Sequence, residues 1–268
     1  MSDVDSVSNV KVSSAGHVTT VMLDNPPVNA LTRAMMRELT DVFSSAGDGW
    51  DCRSVLLSAA PGRAFCGGVD LNDPEGAHGG GQTAQAPADF LDIGRSARRL
   101  FQSVLDCPVP VVAAVGGASV GAGVALLACA DIIIASDQAR FALPEINAGV
   151  LGGGRHLQRL VGPFKARSML FTGDFASAAD FYRLGAIEEV LAPDELDGRA
   201  KEWANRLAAK SPIGLRLAKE SLARAEHLPL MEGYRIEQDY TAKMVGYEDS
   251  TEARDAFLRR RDPQWKLR

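Results

Sequence analysis

Along the first two thirds of the chain, apolar residues come in short runs separated by turn signals. Val18 to Leu23 is β-branched and apolar and predicts a strand, stopped by Asn25-Pro26-Pro27. Leu31, Met35, Leu39, Val42 and Phe43 recur at helical spacing and predict a helix over Ala30 to Phe43, with Asn29 as its cap. Ser54 to Ser58, Pro110 to Val115 and Asp131 to Ala135 predict buried strands. Ala88 to Leu105 and Val120 to Ala130 predict helices. Beyond Pro144 the pattern turns helical: Arg155 to Leu160, Pro163 to Phe171, Ser177 to Leu184, Asp194 to Ala209, Pro212 to Ala225, Leu230 to Val245 and Ser250 to Arg260, with one strand at Ala186 to Leu191. Ser177 and Asp194 have the character of N-caps, and Ser250 more weakly so. Alternation followed by helices alone predicts an α/β core with a helical C-terminal unit. Residues 1–8 read as a disordered tail. Residues 72–88 are rich in glycine and contain two prolines, and read as a lid.

Two segments share one design, in which a strand runs into small residues and then a helix. The first carries Ala64-Phe65-Cys66-Gly67-Gly68-Val69-Asp70-Leu71; the second carries Gly116-Gly117-Ala118-Ser119-Val120-Gly121-Ala122-Gly123. Glycine permits close backbone approach, and a helix start leaves N–H groups unpaired. Two such turns facing one point would form an oxyanion hole. Neither segment makes a nucleotide site: the second lacks the acidic residue expected at the end of the following strand, and it has no Lys-Ser/Thr pair for phosphate.

Composition narrows the class. With 268 residues, 46% hydrophobic and 24% charged, the chain is ordinary for a globular protein, and its net charge of −5 disfavours non-specific nucleic-acid binding. The late clusters of Lys and Arg are interleaved with acids and read as solvated helix faces. Cys52, Cys66, Cys107 and Cys129 lack metal-ligand spacing and read as free thiols of a reducing cytoplasm; no metal site is expected. The N-terminus has no secretory character, and the longest apolar stretch is broken by glycines, so no membrane span is expected.

Five ordered segments then resemble the crotonase (enoyl-CoA hydratase/isomerase) superfamily. Arg63 to Leu71 is similar to that family's AF-(small)-(small)-G-x-DL turn, and Pro108 to Asp131 to its glycine-rich strand and helix. Phe141 to Ile146 is similar to F-x-x-P-E. Gly149 to Gly162 resembles the following glycine loop and helix, and Ala178 to Ile187 a later helix-glycine segment. The resemblance spans residues 16–268. It implies an α/β crotonase-like spiral of β-β-α units over residues 9–195 and a helical trimerisation region over 196–268.

The resemblance also implies chemistry. Backbone N–H groups at Cys66 and Ala122 would hold a thioester oxygen, and Glu145 would be the acid/base. Hydratases of the family use two carboxylates. The first maps to Ala125, which carries none, so a single-base isomerase-like reaction is implied as readily as hydration. Val28, Arg63, Ala64, Gly68, Asp70 and Leu71 would contact coenzyme A, with Phe257 and Lys266 reaching a neighbouring subunit's nucleotide. His156 and His78 are further acid/base candidates. Glu145 also fits a plain helix-capping acid, and Cys66 a thiol nucleophile. The expected partners are an acyl-CoA thioester and further copies of the chain as a trimer or hexamer. No cofactor is expected, since coenzyme A belongs to the substrate. A non-catalytic acyl-CoA binding protein and a thioester hydrolase or ring-opening enzyme remain open on the same residues.

Overall fold

The computed structural model describes residues 8–62, 64–70, 73 and 87–268, with backbone alone for 87–91. The tail expected over 1–8 and the lid expected over 72–88 lie almost wholly outside these residues, as do Arg63, Leu71 and His78.

A six-stranded sheet is built from β1 (Val10–Ala15), β2 (Val18–Leu23), β3 (Ser54–Ala59), β4 (Val111–Val115), β6 (Ile132–Ser136) and β9 (Glu189–Leu191), side by side in that order. β1 and β2 form an antiparallel hairpin; every later neighbour is parallel. The strands β3, β4 and β6 are nearly continuous apolar runs because both faces are covered, as parallel sheets require. One face carries α1 (Arg33–Ser45) and α2 (Pro87–Leu105), which pack on each other and share the main core with Leu39, Phe43, Leu100 and Val104. The other face carries α6 (Leu196–Ala208), whose Leu196, Ala200, Ala204 and Ala208 sit on Leu56, Val112 and Ile134. The one-residue step from Val111 to Val112 thus sends side chains to different cores.

A second sheet of three short strands, β5 (Ala118–Val120), β7 (Arg140–Ala142) and β8 (Ala176–Ser177), stands beside the first. It divides the stretch expected as one helix over Val120 to Ala130: β5 ends at Val120, and α3 (Ala122–Leu127) begins after Gly121. A 3-10 turn, Pro144–Ala148, leads into α4 (Gly154–Thr172), which bends at Gly162, where φ is 74°. α5 (Ala178–Arg183) starts at a reciprocal capping box between Ser177 and Asp180. The chain closes with α7 (Pro212–Ala225), α8 (Leu230–Val245) and α9 (Glu248–Arg259).

Several local expectations change. Thr32, not Asn29, caps α1, its hydroxyl accepting from Met35 N–H. Asn29 is fully buried at φ 55°, where its amide donates to Ala64 O and its carbonyl accepts from Asn25 N–H. Asp194 and Ser250 do not cap: α6 follows Glu195 and α9 follows Tyr247. The boundary expected after residue 195 falls ahead of α6, yet α6 is a layer of the core.

Candidate active site

The two glycine-rich turns meet. Cys66 and Ser119 form a parallel bridge, with Cys66 N–H donating to Ala118 O (3.2 Å) and Val120 N–H donating to Cys66 O (2.9 Å). A methyl group added at Gly68 would stand 3.2 Å from Val120 O and 3.8 Å from Ala122 N, so only a bare Cα fits there, at φ 98°. A methyl at Gly123 would meet Cys66 O at 2.7 Å. Absent side chains thus let the turns close on each other.

This bridge changes the expected donor. The Cys66 N–H is already bonded to Ala118, and the residue is fully buried. In the same turn Gly67 N–H donates to Val28 O and Asp70 N–H to Leu31 O, while Gly68 O accepts from Leu31 N–H. In a trans peptide C=O and N–H point in opposite directions. With Gly68 O turned to Leu31, Val69 N–H turns the other way. It donates to no backbone carbonyl among the described residues, and Val69 lines the adjoining cavity. Ala122 opens α3, so its amide has no helix carbonyl behind it, and it lines the same cavity. Val69 and Ala122 thus offer one amide from each of the two facing turns. Which amide a bridge leaves open is a matter of strand direction, and residue types at the turn did not signal it.

The cavity has a volume of about 340 Å³. Among its described lining residues Glu145 is the one with a polar side chain; the rest are glycine, proline or hydrocarbon. The carboxylate is seated by the 3-10 turn and approaches Gly121 so closely that a Cβ there would lie 2.7 Å from Oε1. Oε2 is buried with no hydrogen-bond partner. Burial pushes the carboxyl above its ordinary range, opposed in part by a hydrogen bond from its own backbone N–H. Ala125 lies in the same lining and is 2% exposed.

The other candidates fall into groups. His156 does not line the cavity. It packs edge-on against Phe101, which does, with ring centroids 5.0 Å apart. Desolvation first, then Arg159 and Arg155, holds its imidazole below the ordinary value. The buried Cys66 thiol is pushed up to about 12, mainly by desolvation, which is unsuited to a nucleophile. Val28 is exposed beside the first turn, its carbonyl holding Gly67. Ala64 O is taken by Asn29, and Asp70 N–H by Leu31. Phe257 is 83% exposed on α9, and Lys266 lies beyond it, 3.9 Å from Glu248; neither lines the cavity. No cluster of His, Cys, Asp or Glu able to hold a metal occurs among the described residues.

A mixed sheet, a small flanking sheet, two abutting turns with open amides and one desolvated carboxylate define an α/β protein built for acyl chemistry at a polarised carbonyl. The model of the enoyl-CoA hydratase/isomerase family matches residues 13–268, so the chain belongs to that family of enzymes. It is 37% identical over 247 residues to a (7aS)-7a-methyl-1,5-dioxo-2,3,5,6,7,7a-hexahydro-1H-indene-carboxyl-CoA hydrolase of Rhodococcus jostii, covering 92% of this chain and 93% of that one. It is 34% identical over 269 residues to a probable enoyl-CoA hydratase of Rhizobium meliloti, covering 98% and 100%. The crystal structure of an enoyl-CoA hydratase from Bacillus anthracis superposes with a TM-score of 0.90 at 28% identity, over 97% of this chain and 100% of that one.

Proposed function

We propose that the protein binds an acyl-CoA thioester, holds its carbonyl oxygen between the N–H groups of Val69 and Ala122, and moves a proton with Glu145 as the single acid/base. The observation that carries this reading is that Glu145 supplies the one polar side chain among the described residues of the cavity. The thioester C=O accepts two hydrogen bonds, which strengthen as negative charge gathers on oxygen. The Glu145 carboxylate removes a proton from a carbon next to the conjugated system, leaving an enolate. The carboxylic acid so formed returns the proton to another carbon. This double-bond shift is balanced without an added reactant, and the reading needs no cofactor. Addition of water would need a second group to place the water, and Ala125 supplies none, so isomerisation is favoured over hydration.

Along the first turn, Val28, Ala64, Gly68 and Asp70 would carry the coenzyme A moiety. Phe257 on α9 and Lys266 in the segment that follows it, both exposed, would reach a neighbouring subunit in a trimer or hexamer. Four free thiols suit a reducing cytoplasm. No helix among the described residues is long and apolar enough to cross a membrane.

The test is turnover of enoyl-CoA substrates, followed at the conjugated-thioester absorbance, by wild type and Glu145→Gln. The variant is expected to bind and to lose turnover by about 10²–10⁴. Wild-type rates in the variant would refute the role of Glu145. Thioester hydrolysis or ring opening is the second reading, favoured by the named activity of the Rhodococcus relative. Release of free coenzyme A thiol, or a ring-opened product, in place of an isomer would establish it.

A further inference from the structure

α2 lays Ile93, Gly94, Ala97 and Phe101 along the cavity, positions one, four and eight residues on from the first and so on one helical face. Ile93 and Phe101 are eight residues apart, about 12 Å along the helix axis at 1.5 Å per residue. Between these bulky ends the face is only a glycine and an alanine, which makes a notch. A methyl added at Gly94 would meet nothing within 4 Å among the described residues. On α3 the cavity is again lined by small residues, Ala122 and Ala125. Phe101 is braced from behind by the edge of His156, which fixes the notch's aromatic end.

Resting on the thioester reading above, we propose that the acyl group is a compact carbocycle, seated in the α2 notch with a ring against Phe101. Small side chains on both sides, Gly94 and Ala97 on α2 and Ala122 and Ala125 on α3, leave lateral room that a ring would fill. An extended alkyl chain would leave that lateral room unfilled. A hydrocarbon ring is expected, because no polar side chain among the described lining residues stands over Gly94 and Ala97 to pair with a polar substituent. In this reading Gly94 and Ala97 determine specificity through what they lack, and His156 is a positioning residue acting through Phe101.

The experiment separates binding from chemistry. Affinities of cyclohexanecarbonyl-CoA and hexanoyl-CoA, neither of which has a conjugated double bond to shift, are measured by calorimetry on wild type, Gly94→Ala, Gly94→Leu and Ala97→Val. Wild type should prefer the ring by tenfold or more. The preference should shrink in Gly94→Ala and disappear in Gly94→Leu and Ala97→Val. Because Gly94→Ala favours the helix, it reports on the notch even where the larger changes impair folding. Equal wild-type affinities, or a ring preference unchanged in Gly94→Ala and Ala97→Val, would overturn the proposal. The same pair of ring-bearing and linear chains as 2-enoyl thioesters then tests turnover. Ring-selective binding without turnover would uphold the notch and refute the proton-transfer reading.

Discussion

At the scale of single residues, the proposed chemistry turns on one desolvated carboxylate, that of Glu145. A general base must be ionised, so kcat/KM should fall as pH drops through the raised value of Glu145, on an acidic limb lying above the ordinary glutamate value of 4.5. Stability has the opposite sign. A carboxyl raised by burial is most compatible with the fold when protonated, so its contribution is complete below the unfolded value and is lost as pH rises through the folded one. Glu145→Gln should therefore melt at a higher temperature than wild type near pH 7, and the gap should close below about pH 4; differential scanning at both pH values checks this. Gly121→Ala is a second probe. Its φ of 57° with ψ −118° is a sparsely populated conformation for any side chain, at a cost of about 1–3 kcal/mol, and the new Cβ would displace Glu145 Oε1. Lower denaturant midpoint together with lost turnover is expected. That Glu145 and Ala122 come together in one cavity was legible, because a turn motif fixes a position whatever surrounds it. Val69 was not, because an amide's freedom follows from the bridge that its neighbours make.

Among elements, α7 is tied to the core by polar contacts of Arg216, Lys219 and its capping residue Glu226. Lys219 on α7 donates to Val109 O (3.1 Å) and to Asp131 Oδ2 (2.7 Å), while the same Asp131 oxygen accepts from Val111 N–H at the start of β4. The Lys219 side chain is only 9% exposed. Lys219→Met should lower stability by about 2 kcal/mol, since it removes the ammonium that Val109 O and the Asp131 carboxylate both accept from. Chemical denaturation measures the change. Ser177→Ala should cost ~1 kcal/mol through loss of the α5 cap. Long amphipathic helices were read well from sequence: α7 and α8 begin and end where the periodicity does. β1 was missed because Val10 is its one buried residue, so no alternation marks it. β5, β7 and β8 are two or three residues long and take their structure from one another. The Asn29 cap was misread because a buried Asn bridging two loops has the same local signature as a helix cap.

For the whole molecule, large apolar side chains remain on the last helices, with Leu230 85%, Met231 71% and Leu258 72% exposed in the single chain. Apolar surface of this kind is what a subunit interface would bury. The proposed trimer or hexamer should appear by light scattering at micromolar concentration, and a monomer there would count against it. The Cys66–Ser119 bridge has a broader consequence. Because the groups that would polarise the carbonyl are main-chain amides locked by main-chain bonds, no codon specifies them directly. Their geometry follows from the fold and from the glycines that let the turns close, not from a functional side chain. Exchanging a cavity residue such as Ala125 would then change the chemistry offered to a thioester without rebuilding the amides that would hold its oxygen.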